Sequence, residues 1–356
     1  MKPTIFLETH NINNRATGLG TFNYELLKAF SNLNHSFLLI CLAKKKVALQ
    51  SEFGGAFVYK NYQSWFRKPL FRIKKRVDIW HSLNQNTKIE PFFTPKKGYI
   101  LTVHDVNFAE EETGKEKEKQ CKRFEKKLNR ATYITYISEF AKAQTHQYFK
   151  VPKVPEKIIY NGNPISTFQE TNPLEHLLPK RPFFYSLGDF IPRKNFETII
   201  NMMPLLPDFD LVISGNHQKE YGTYIKKIII ENQLENRIFL TGKVSDAEKQ
   251  FYYKNCSAFL FPSIREGFGL PPIEAMMFKK PVFLAYKTSL PEIGADAAFY
   301  WHSFEPETMK DVVIKGLTEF NTNKTTWEEK LYKRATFFSW EKAAQEYLSI
   351  YQEILK

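Results

Sequence analysis

The chain has 356 residues, of which 43% are hydrophobic and 25% are charged. This composition is typical of globular proteins and excludes a disordered or collagen-like chain, and the length indicates two domains because a single core rarely grows beyond roughly 250–300 residues. The 51 basic and 38 acidic residues give a net charge of +13, which predicts an anionic partner: nucleic acid, an acidic membrane or a phosphorylated small molecule.

The three cysteines, Cys41, Cys121 and Cys256, are too few and too scattered for a disulfide framework or a zinc site. We therefore expect a protein of a reducing compartment. The amino terminus lacks the apolar core of a signal peptide, and no apolar run approaches the ~18–20 residues that span a bilayer. These features predict a cytoplasmic protein that at most rests on a membrane surface.

Short apolar runs alternate with longer helix-like stretches along the whole chain. Such runs are typical of parallel strands that are buried on both faces. The first series comprises residues 4–7, 37–42, 77–81, 99–103, 132–137 and 157–160. The second series comprises residues 183–187, 211–214, 238–240, 258–261 and 281–285. The alternation predicts two α/β units, each built on a parallel sheet.

The boundary between these units lies in residues 161–182, where Gly, Asn and Pro interrupt the periodicity. We place the first domain at residues 1–167 and the second at residues 168–339, and we expect a helix that Ser339 caps and that contributes residues 340–356 to the first domain. One apolar stripe of this helix consists of Trp340, Ala344, Tyr347, Leu348 and Tyr351. Because ligands of such sheets bind beyond the carboxyl ends of the strands, we look for chemistry in the loops that follow strands.

The first such loop contains Gly18 and Gly20 at the start of a predicted helix. Glycines at a helix N-terminus let a phosphate approach backbone N–H groups, although an ordinary flexible loop would have the same composition. Asn23 stands where a dinucleotide fingerprint has its third glycine, which disfavours a nicotinamide dehydrogenase. The second candidate is His104, at the end of a predicted strand, which either contacts hydroxyl groups of a ligand or is a satisfied structural histidine.

In the second unit, Arg193 and Lys194 follow the first predicted strand and precede a helix. Two adjacent cations beside a helix N-terminus suit a diphosphate, which needs charge-assisted hydrogen-bond donors; a solvated charged loop is the alternative. The most specific pattern is the stretch from Glu266 to Glu274, where glycines and prolines separate two carboxylates. Carboxylates spaced in this way can bind hydroxyl groups on two parts of one polar ligand.

Taken together and in this order, these segments resemble a retaining, nucleotide-sugar-dependent glycosyltransferase of family 4. This family has the GT-B fold, in which two Rossmann-like α/β domains face each other across a cleft and a C-terminal helix crosses back onto the first. The resemblance covers nearly the whole chain. The further segments that carry it are residues 78–81, 102–105, 137–140, 159–162, 289–292 and 338–340.

The resemblance implies that Gly18 and Gly20 admit the donor diphosphate and that Arg193 and Lys194 neutralise it. It also implies that Glu274 holds the ribose and that His104 contacts the transferred sugar near the reaction centre. Glu266, together with the backbone around Gly267, Phe268, Gly269 and Leu270, would bind hydroxyl groups of the transferred sugar. The family's front-face mechanism needs no protein nucleophile, and we expect the two cations to replace a metal ion.

The function implied is transfer of a hexose, with mannose ahead, from a GDP- or UDP-sugar to a glycan or polyprenyl-diphosphate-linked glycan in the synthesis of a surface polysaccharide such as lipopolysaccharide. A sugar-nucleotide epimerase or a phosphorylase can share the GT-B fold, but the context of Glu266, Glu274 and the two cations argues against both. A nucleic-acid-binding protein would explain the net charge alone, yet the phenylalanine-rich strands are interpreted as buried, so we expect no nucleic acid.

Two segments concentrate the positive charge. Residues 65–76 interleave aromatic rings with cations, and the residues assigned to a membrane or acceptor patch there are Trp65, Arg67, Lys68, Arg72, Lys74 and Lys75. Such a segment can rest on an anionic membrane, or it can be a solvated helix face that packs its rings inward. A second basic run, residues 115–130, is diluted by glutamates and is interpreted as an exposed helix.

Overall fold

A computed structural model describes residues 2–15, 17–44, 46–171 and 178–356 of the chain. It divides into two compact units: unit 1 is Met1–Pro164 with Ser339–Lys356, and unit 2 is Ile165–Phe338. The boundaries expected from the sequence, after residues 167 and 339, fall within a few residues of this division. Part of the predicted boundary region, residues 172–177, lies outside the described residues.

Unit 1 is built on a parallel sheet. Its strands are β1 (Thr4–Leu7), β2 (Leu38–Ala43), β3 (Val58–Asn61), β4 (Ile79–Ser82), β5 (Gly98–Val103), β6 (Tyr133–Tyr136) and β7 (Glu156–Ile158). They lie in the order β3-β2-β1-β4-β5-β6-β7. The helices that follow them in the chain are α1 (Gly18–Ser31), α2 (Lys46–Phe53), α3 (Phe108–Glu111), α4 (Gly114–Leu128) and α5 (Glu139–Tyr148).

Unit 2 repeats the architecture. Its strands are β8 (Phe183–Leu187), β9 (Asp210–Ser214), β10 (Ile238–Gly242), β11 (Ala258–Phe261), β12 (Val282–Ala285) and β13 (Phe299–Trp301), in the parallel order β10-β9-β8-β11-β12-β13. Its helices are α6 (Phe196–Met202), α7 (Glu220–Glu231), α8 (Asp246–Asn255), α9 (Leu270–Met277), α10 (Leu290–Gly294), α11 (Pro306–Thr322) and α12 (Lys324–Phe337). The last helix, α13 (Trp340–Leu355), belongs to unit 1.

The two strands that the sequence did not predict, β3 and β13, each lie at an edge of their sheet. β3 has no buried residue, and β13 has three residues of which only Trp301 is fully buried, so neither has the continuous burial of a central strand. All residues of β5 and β9 are buried, by contrast, which is why their apolar runs are visible in the sequence.

In both sheets the strand order reverses beside the first strand of the unit, between β1 and β4 and between β8 and β11. Ligands of open parallel sheets bind beyond the carboxyl ends of the strands at such a reversal. The loops that follow β1, β4, β8 and β11 are therefore the places where the fold positions functional side chains.

Helix α13 is fixed to the sheet of unit 1 by a buried polar network. Ser339 caps the helix, accepting a hydrogen bond from the Lys342 amide at 3.2 Å, and the predicted apolar stripe is buried, which confirms the expectation from the sequence. The Tyr351 hydroxyl lies 2.6 Å from Nδ1 of His81, whose Nε2 lies 2.8 Å from the Thr102 hydroxyl. Burial lowers the pKa of His81 to about 3, with His104 adding to the effect, so the ring is neutral at neutral pH.

Across the described residues, no helix is both long enough and apolar enough to span a membrane.

We predict that Tyr351→Phe lowers the free energy of unfolding by about 1–3 kcal/mol, because it leaves a buried ring nitrogen of His81 without its partner. Urea unfolding measures the change. The matched control is Tyr332→Phe, since Tyr332 is 45% exposed. Equal stabilities of the two variants would show that the His81–Tyr351 contact does not secure α13.

The neutral His81 ring also predicts a pH dependence. Its pKa in the folded protein is about 3, below the ordinary value of 6.5, so the unfolded chain binds more protons between these values. The contribution of His81 to the free energy of unfolding should therefore be fully present above pH 6.5. It should fall as the pH drops towards 3, by up to about 1.4 kcal/mol per pH unit. Urea unfolding at pH 7 and pH 5 should show a shallower loss for His81→Gln; identical slopes would contradict the assignment.

Candidate active site

The loop after β8 is a short 3-10 turn, Pro192–Lys194, that ends at Asn195. Asn195 has a φ of 56°, in the left-handed region that asparagine tolerates better than most residues. Its side-chain amide donates to the Pro262 carbonyl at 3.3 Å, and the Ile264 amide donates to the Arg193 carbonyl at 2.9 Å. These bonds join the loops after β8 and β11 at the reversal of strand order.

Glu266, in the loop after β11, lies at the centre of a charged cluster. Its Oε1 accepts hydrogen bonds from Lys194 Nζ at 2.5 Å and from the Ser263 hydroxyl at 2.6 Å. The Arg193 guanidinium lies 3.7 Å from Oε2 and donates to the Arg265 carbonyl at 2.7 Å. The side chains of Lys194 and Glu266 are only 10% and 13% exposed, so water screens the pair weakly.

The cluster sets the charge on Glu266. Burial alone raises the pKa of this carboxyl, but Lys194 and Arg193, with the hydrogen bonds from Lys194 and Ser263, outweigh burial and hold the pKa below its usual range. Glu266 is therefore ionised at neutral pH, and the three charged side chains carry a net charge of +1. Such a site suits a ligand that is both anionic and rich in hydroxyl groups.

Gly269 ends this loop as the N-cap of α9, with a φ of 122° that side chains of L-residues rarely adopt. The hydroxyl of Ser289 fixes the loop because it donates to the Phe268 carbonyl at 2.6 Å and lies 3.0 Å from the Glu266 carbonyl. The prolines that follow occupy the first turn of α9, where their missing N–H groups cost nothing. Leu270 is the first residue of the helix.

Glu274, one turn inside α9, is 4% exposed. Its Oε2 accepts a hydrogen bond from the Tyr253 hydroxyl at 3.0 Å and lies 3.2 Å from Lys249 Nζ. Burial lowers the pKa of Lys249, but the carboxylates of Glu274 and Asp246 outweigh it and raise the pKa above its usual value. The sequence predicted Glu274 but not Lys249, Tyr253 or Ser263, because no local motif marks residues that come together only in the folded sheet.

In unit 1 the two predicted glycines differ in their surroundings. A Cβ atom on Gly20 would lie 1.8 Å from the Asn14 carbonyl oxygen, and the Gly20 amide donates to the Thr17 hydroxyl at 3.2 Å. Gly20 is thus required by the approach of two backbone segments. Gly18 has no atom within 4 Å of such a Cβ, so the space beside the first residue of α1 is open.

His104 is 6% exposed and lies after β5, where its ring packs edge-on against Phe22 at 4.6 Å. Its Nε2 lies 2.9 Å from the Leu83 carbonyl, which can only accept a hydrogen bond. Burial lowers the pKa of His104 to about 4, although the Leu83 carbonyl acts in the opposite direction. At neutral pH the proton therefore resides on Nε2, and Nδ1 has a lone pair that can accept a hydrogen bond from a hydroxyl group.

The structure shows that residues 65–76, the aromatic-basic segment, do not form an α-helix. The segment contains two 3-10 turns, Ser64–Arg67 and Pro69–Phe71. Phe66 packs against the core of unit 1, whereas the side chains of Trp65 and Phe71 are 48% and 49% exposed. The predicted cations of the segment are also exposed: Arg67, Lys68, Arg72, Lys74 and Lys75.

Within the part of the chain that the structure describes, no three His, Cys, Asp or Glu side chains are grouped so that they could hold a metal ion.

The sequence of the chain is similar to those of known glycosyltransferases. Residues 168–335, almost all of unit 2, match the family model described as "Glycosyl transferases group 1". The chain is 25% identical over 341 residues to O-antigen chain mannosyltransferase B of Escherichia coli, covering 90% of this chain and 84% of that protein. It is 34% identical over 145 residues to the serotype-specific mannosyltransferase WbdA of Escherichia coli, covering 38% of this chain and 18% of that protein.

Solved structures show the same fold at low sequence identity. Sucrose-phosphate synthase from Thermosynechococcus elongatus superposes with a TM-score of 0.74 at 17% identity, covering 99% of each chain. HepE from Anabaena, solved with UDP and glucose, has a TM-score of 0.73 at 14% identity, covering 99% of this chain and 100% of that chain. The chain is therefore a glycosyltransferase whose unit 2 contains a group 1 domain and whose two parallel-sheet units have the GT-B fold.

Proposed function

We propose that this enzyme transfers a hexose, with mannose first among the candidates, from a GDP- or UDP-sugar to a glycan acceptor during surface polysaccharide synthesis. The observation that carries the proposal is the Lys194–Glu266 pair, buried beside Arg193 where the strand order of unit 2 reverses. The names of the curated relatives, O-antigen mannosyltransferases, support both the sugar and the type of acceptor.

Arg193 and Lys194 bind the donor diphosphate in this proposal. Glu266 neutralises only one of the two cations, so the cluster retains a positive charge for the phosphates. That charge also stabilises the leaving nucleoside diphosphate, whose negative charge grows as the bond to the sugar breaks. Because Arg193 and Lys194 are held in place before the nucleotide-sugar binds, their side chains need little reorganisation during the reaction.

Glu266 binds hydroxyl groups of the transferred sugar, helped by backbone N–H groups of residues 267–269. Its Oε1 already accepts two short hydrogen bonds, from Lys194 and Ser263. A carboxylate stabilised in this way is a weak nucleophile, which favours front-face attack with retention over a covalent sugar–enzyme intermediate. In front-face attack the proton of the acceptor hydroxyl passes to the departing phosphate oxygen.

Glu274 binds the ribose hydroxyl groups. Its Oε1 lies 3.3 Å from Lys249 and has a further lone pair that a hydroxyl can use. Tyr253 and Lys249 hold the carboxylate in one orientation, which is what recognition of a diol requires. Both are positioning residues, because they act through Glu274.

The acceptor side is assigned to unit 1. We infer that Nδ1 of His104 accepts a hydrogen bond from a sugar hydroxyl and that the open space at Gly18 admits a phosphate oxygen of the donor. A lipid-linked acceptor, such as a polyprenyl-diphosphate glycan, agrees with the exposed rings and cations of the aromatic-basic segment. In this account the enzyme works in the cytoplasm, peripherally on the anionic inner face of the membrane.

We also expect catalysis without a resident metal ion, since Arg193 and Lys194 supply positive charge to the diphosphate.

Lys194→Ala should slow sugar transfer on the order of 100- to 1000-fold, because a preorganised cation is lost from the leaving group. The measurement is the initial rate with a saturating donor, with urea unfolding to check the fold. Lys227→Ala, at an exposed position of α7, is the control and should keep the wild-type rate. A Lys194→Ala enzyme that folds and turns over at the wild-type rate would remove this cation from the mechanism.

Glu274→Gln should weaken binding of the free nucleoside diphosphate roughly 10- to 100-fold, the range expected for losing a charged hydrogen-bond acceptor. Glutamine keeps an oxygen for Tyr253, so the fold is retained. Calorimetric titration with GDP and with UDP measures the effect, and Glu235→Gln at an exposed site is the control. Unchanged affinity for both nucleotides would exclude a ribose contact at Glu274.

A further inference from the structure

One face of α4, a helix of unit 1, is lined by cations that have no part in the donor site of unit 2. Lys115, Lys119, Lys122, Arg123 and Lys126, the cationic face of α4, border a shallow surface groove of about 450 Å³ together with Glu118. Their spacing places them along one stripe of the helix, whereas Phe124 and Leu128 face the core. Five cations and one carboxylate thus line the groove, so this face of α4 is strongly basic although glutamates are interspersed in the run.

Few of these cations are neutralised. Lys119 pairs with Glu116 at 3.3 Å, and Lys122 pairs with Glu118 at 3.9 Å. Exposed ion pairs of this kind contribute little to stability. In the described ranges of the chain, no acidic group lies within ion-pair distance of Lys115, Arg123 or Lys126. The stripe thus presents a net positive field to whatever approaches α4.

The cationic face is connected to the aromatic-basic segment through Glu90. The Glu90 carboxylate binds Lys127 in the last turn of α4 and Arg130 just beyond it, at 2.9 Å each. The Glu90 carbonyl accepts a hydrogen bond from the Ile73 amide at 3.2 Å, and the Phe92 amide donates to the Ile73 carbonyl at 3.0 Å. The two basic elements are thus neighbours joined by residues 90–92.

Both elements cover the same face of the unit 1 sheet. Ile73 of the aromatic-basic segment and Phe124 of α4 belong to one buried cluster, packed with Trp80 and Leu101 of the sheet. His81 and Thr102, which alternate with these strand residues, point instead towards α13. The outer surfaces of the segment and of α4 therefore point to the same side of unit 1.

Exposed apolar groups are concentrated in the same region. Leu70 is 84% exposed, Trp65 is 48% exposed, and Phe71 and Phe92 are each 49% exposed. The Lys74 ammonium lies 5.4 Å from the centre of the Phe92 ring. Rings and aliphatic groups surrounded by cations fit the boundary between lipid headgroups and acyl chains. A polynucleotide would satisfy the cations but would leave Leu70 in water.

We propose that the cationic face of α4 and the aromatic-basic segment form one surface that binds an anionic phospholipid bilayer. In this arrangement α4 rests on the headgroups and supplies electrostatic attraction, while the segment inserts its rings. The proposal rests on the proposed function, in which the enzyme works at a membrane surface. It deepens that function by adding α4 to the surface that attaches the enzyme to the membrane.

The test compares two variants that lose the same charge. In the first, Lys115, Lys119, Lys122 and Lys126 are replaced by Gln, which keeps the helix propensity of α4. In the control, Lys226, Lys227, Lys315 and Lys333, which are exposed on helices of unit 2, are replaced by Gln. Binding to phosphatidylcholine vesicles with and without phosphatidylglycerol is measured by co-sedimentation.

Wild-type protein should bind the anionic vesicles and not the neutral ones. The α4 variant should bind roughly 100-fold more weakly, since each lysine near an anionic surface contributes about fivefold and two of the four are partly paired. The control should bind like the wild type. Equal binding by the α4 variant, an equal loss in the control, or preference of the wild type for single-stranded RNA over vesicles would each overturn the proposal.

Turnover of the nucleotide-sugar in solution, measured without vesicles on the same preparations, separates this proposal from the proposed function. Both variants should turn over donor at the wild-type rate, because neither changes a residue of the donor site. Absence of turnover in the wild type would contradict the transferase assignment, and the vesicle result would still decide whether α4 binds a membrane.

Discussion

The buried ion pair between Lys194 and Glu266 is the interaction on which the function of unit 2 depends. The pair joins residues 72 positions apart in the chain, and it forms because the strand order reverses between β8 and β11. Removing two charges from water is costly unless further hydrogen bonds stabilise them, and Ser263 and Arg193 provide that stabilisation. A donor that carries both phosphates and hydroxyl groups can engage the cations and the carboxylate together.

Unit 1 uses its buried polar groups differently. His81 and His104 are both neutral at neutral pH because burial lowers their pKa values, but their partners differ. His81 has both ring nitrogens occupied, by Tyr351 and Thr102, and so serves to attach α13. His104 uses one nitrogen for the Leu83 carbonyl, which leaves the other for chemistry. Of the two histidines at strand ends, only His104 has this capacity.

The sequence predicted the central strands, the two units and the final helix, since strands that are buried on both faces have continuous apolar sequences. It missed β3 and β13, because edge strands are short and partly exposed. Among the site residues, the loop from Glu266 to Glu274 was visible through its glycines and prolines. Lys249 and Ser263 were not, because their roles arise from packing between segments that are distant in sequence.

The cationic face of α4 could have been predicted from the spacing of its lysines. The lysines at 115, 119, 122 and 126 recur at helical spacing, so a helical projection of the sequence places them on one stripe, with Glu118 as the carboxylate that shares the groove. Counting charges along the chain hides this grouping of the lysines. The orientation of the rings in the aromatic-basic segment, by contrast, could not be predicted from the sequence. Only the structure shows that Phe66 packs against the core while Trp65 is exposed to solvent.

The most direct test of the central claim is to incubate the enzyme with GDP-mannose or UDP-glucose in excess EDTA and to follow the released sugar by NMR. The account predicts that one donor is consumed without added metal and that the first sugar formed keeps the anomeric configuration of the donor. A first product of inverted configuration, or turnover that stops in EDTA and returns with a divalent cation, would contradict the role assigned to Arg193, Lys194 and Glu266.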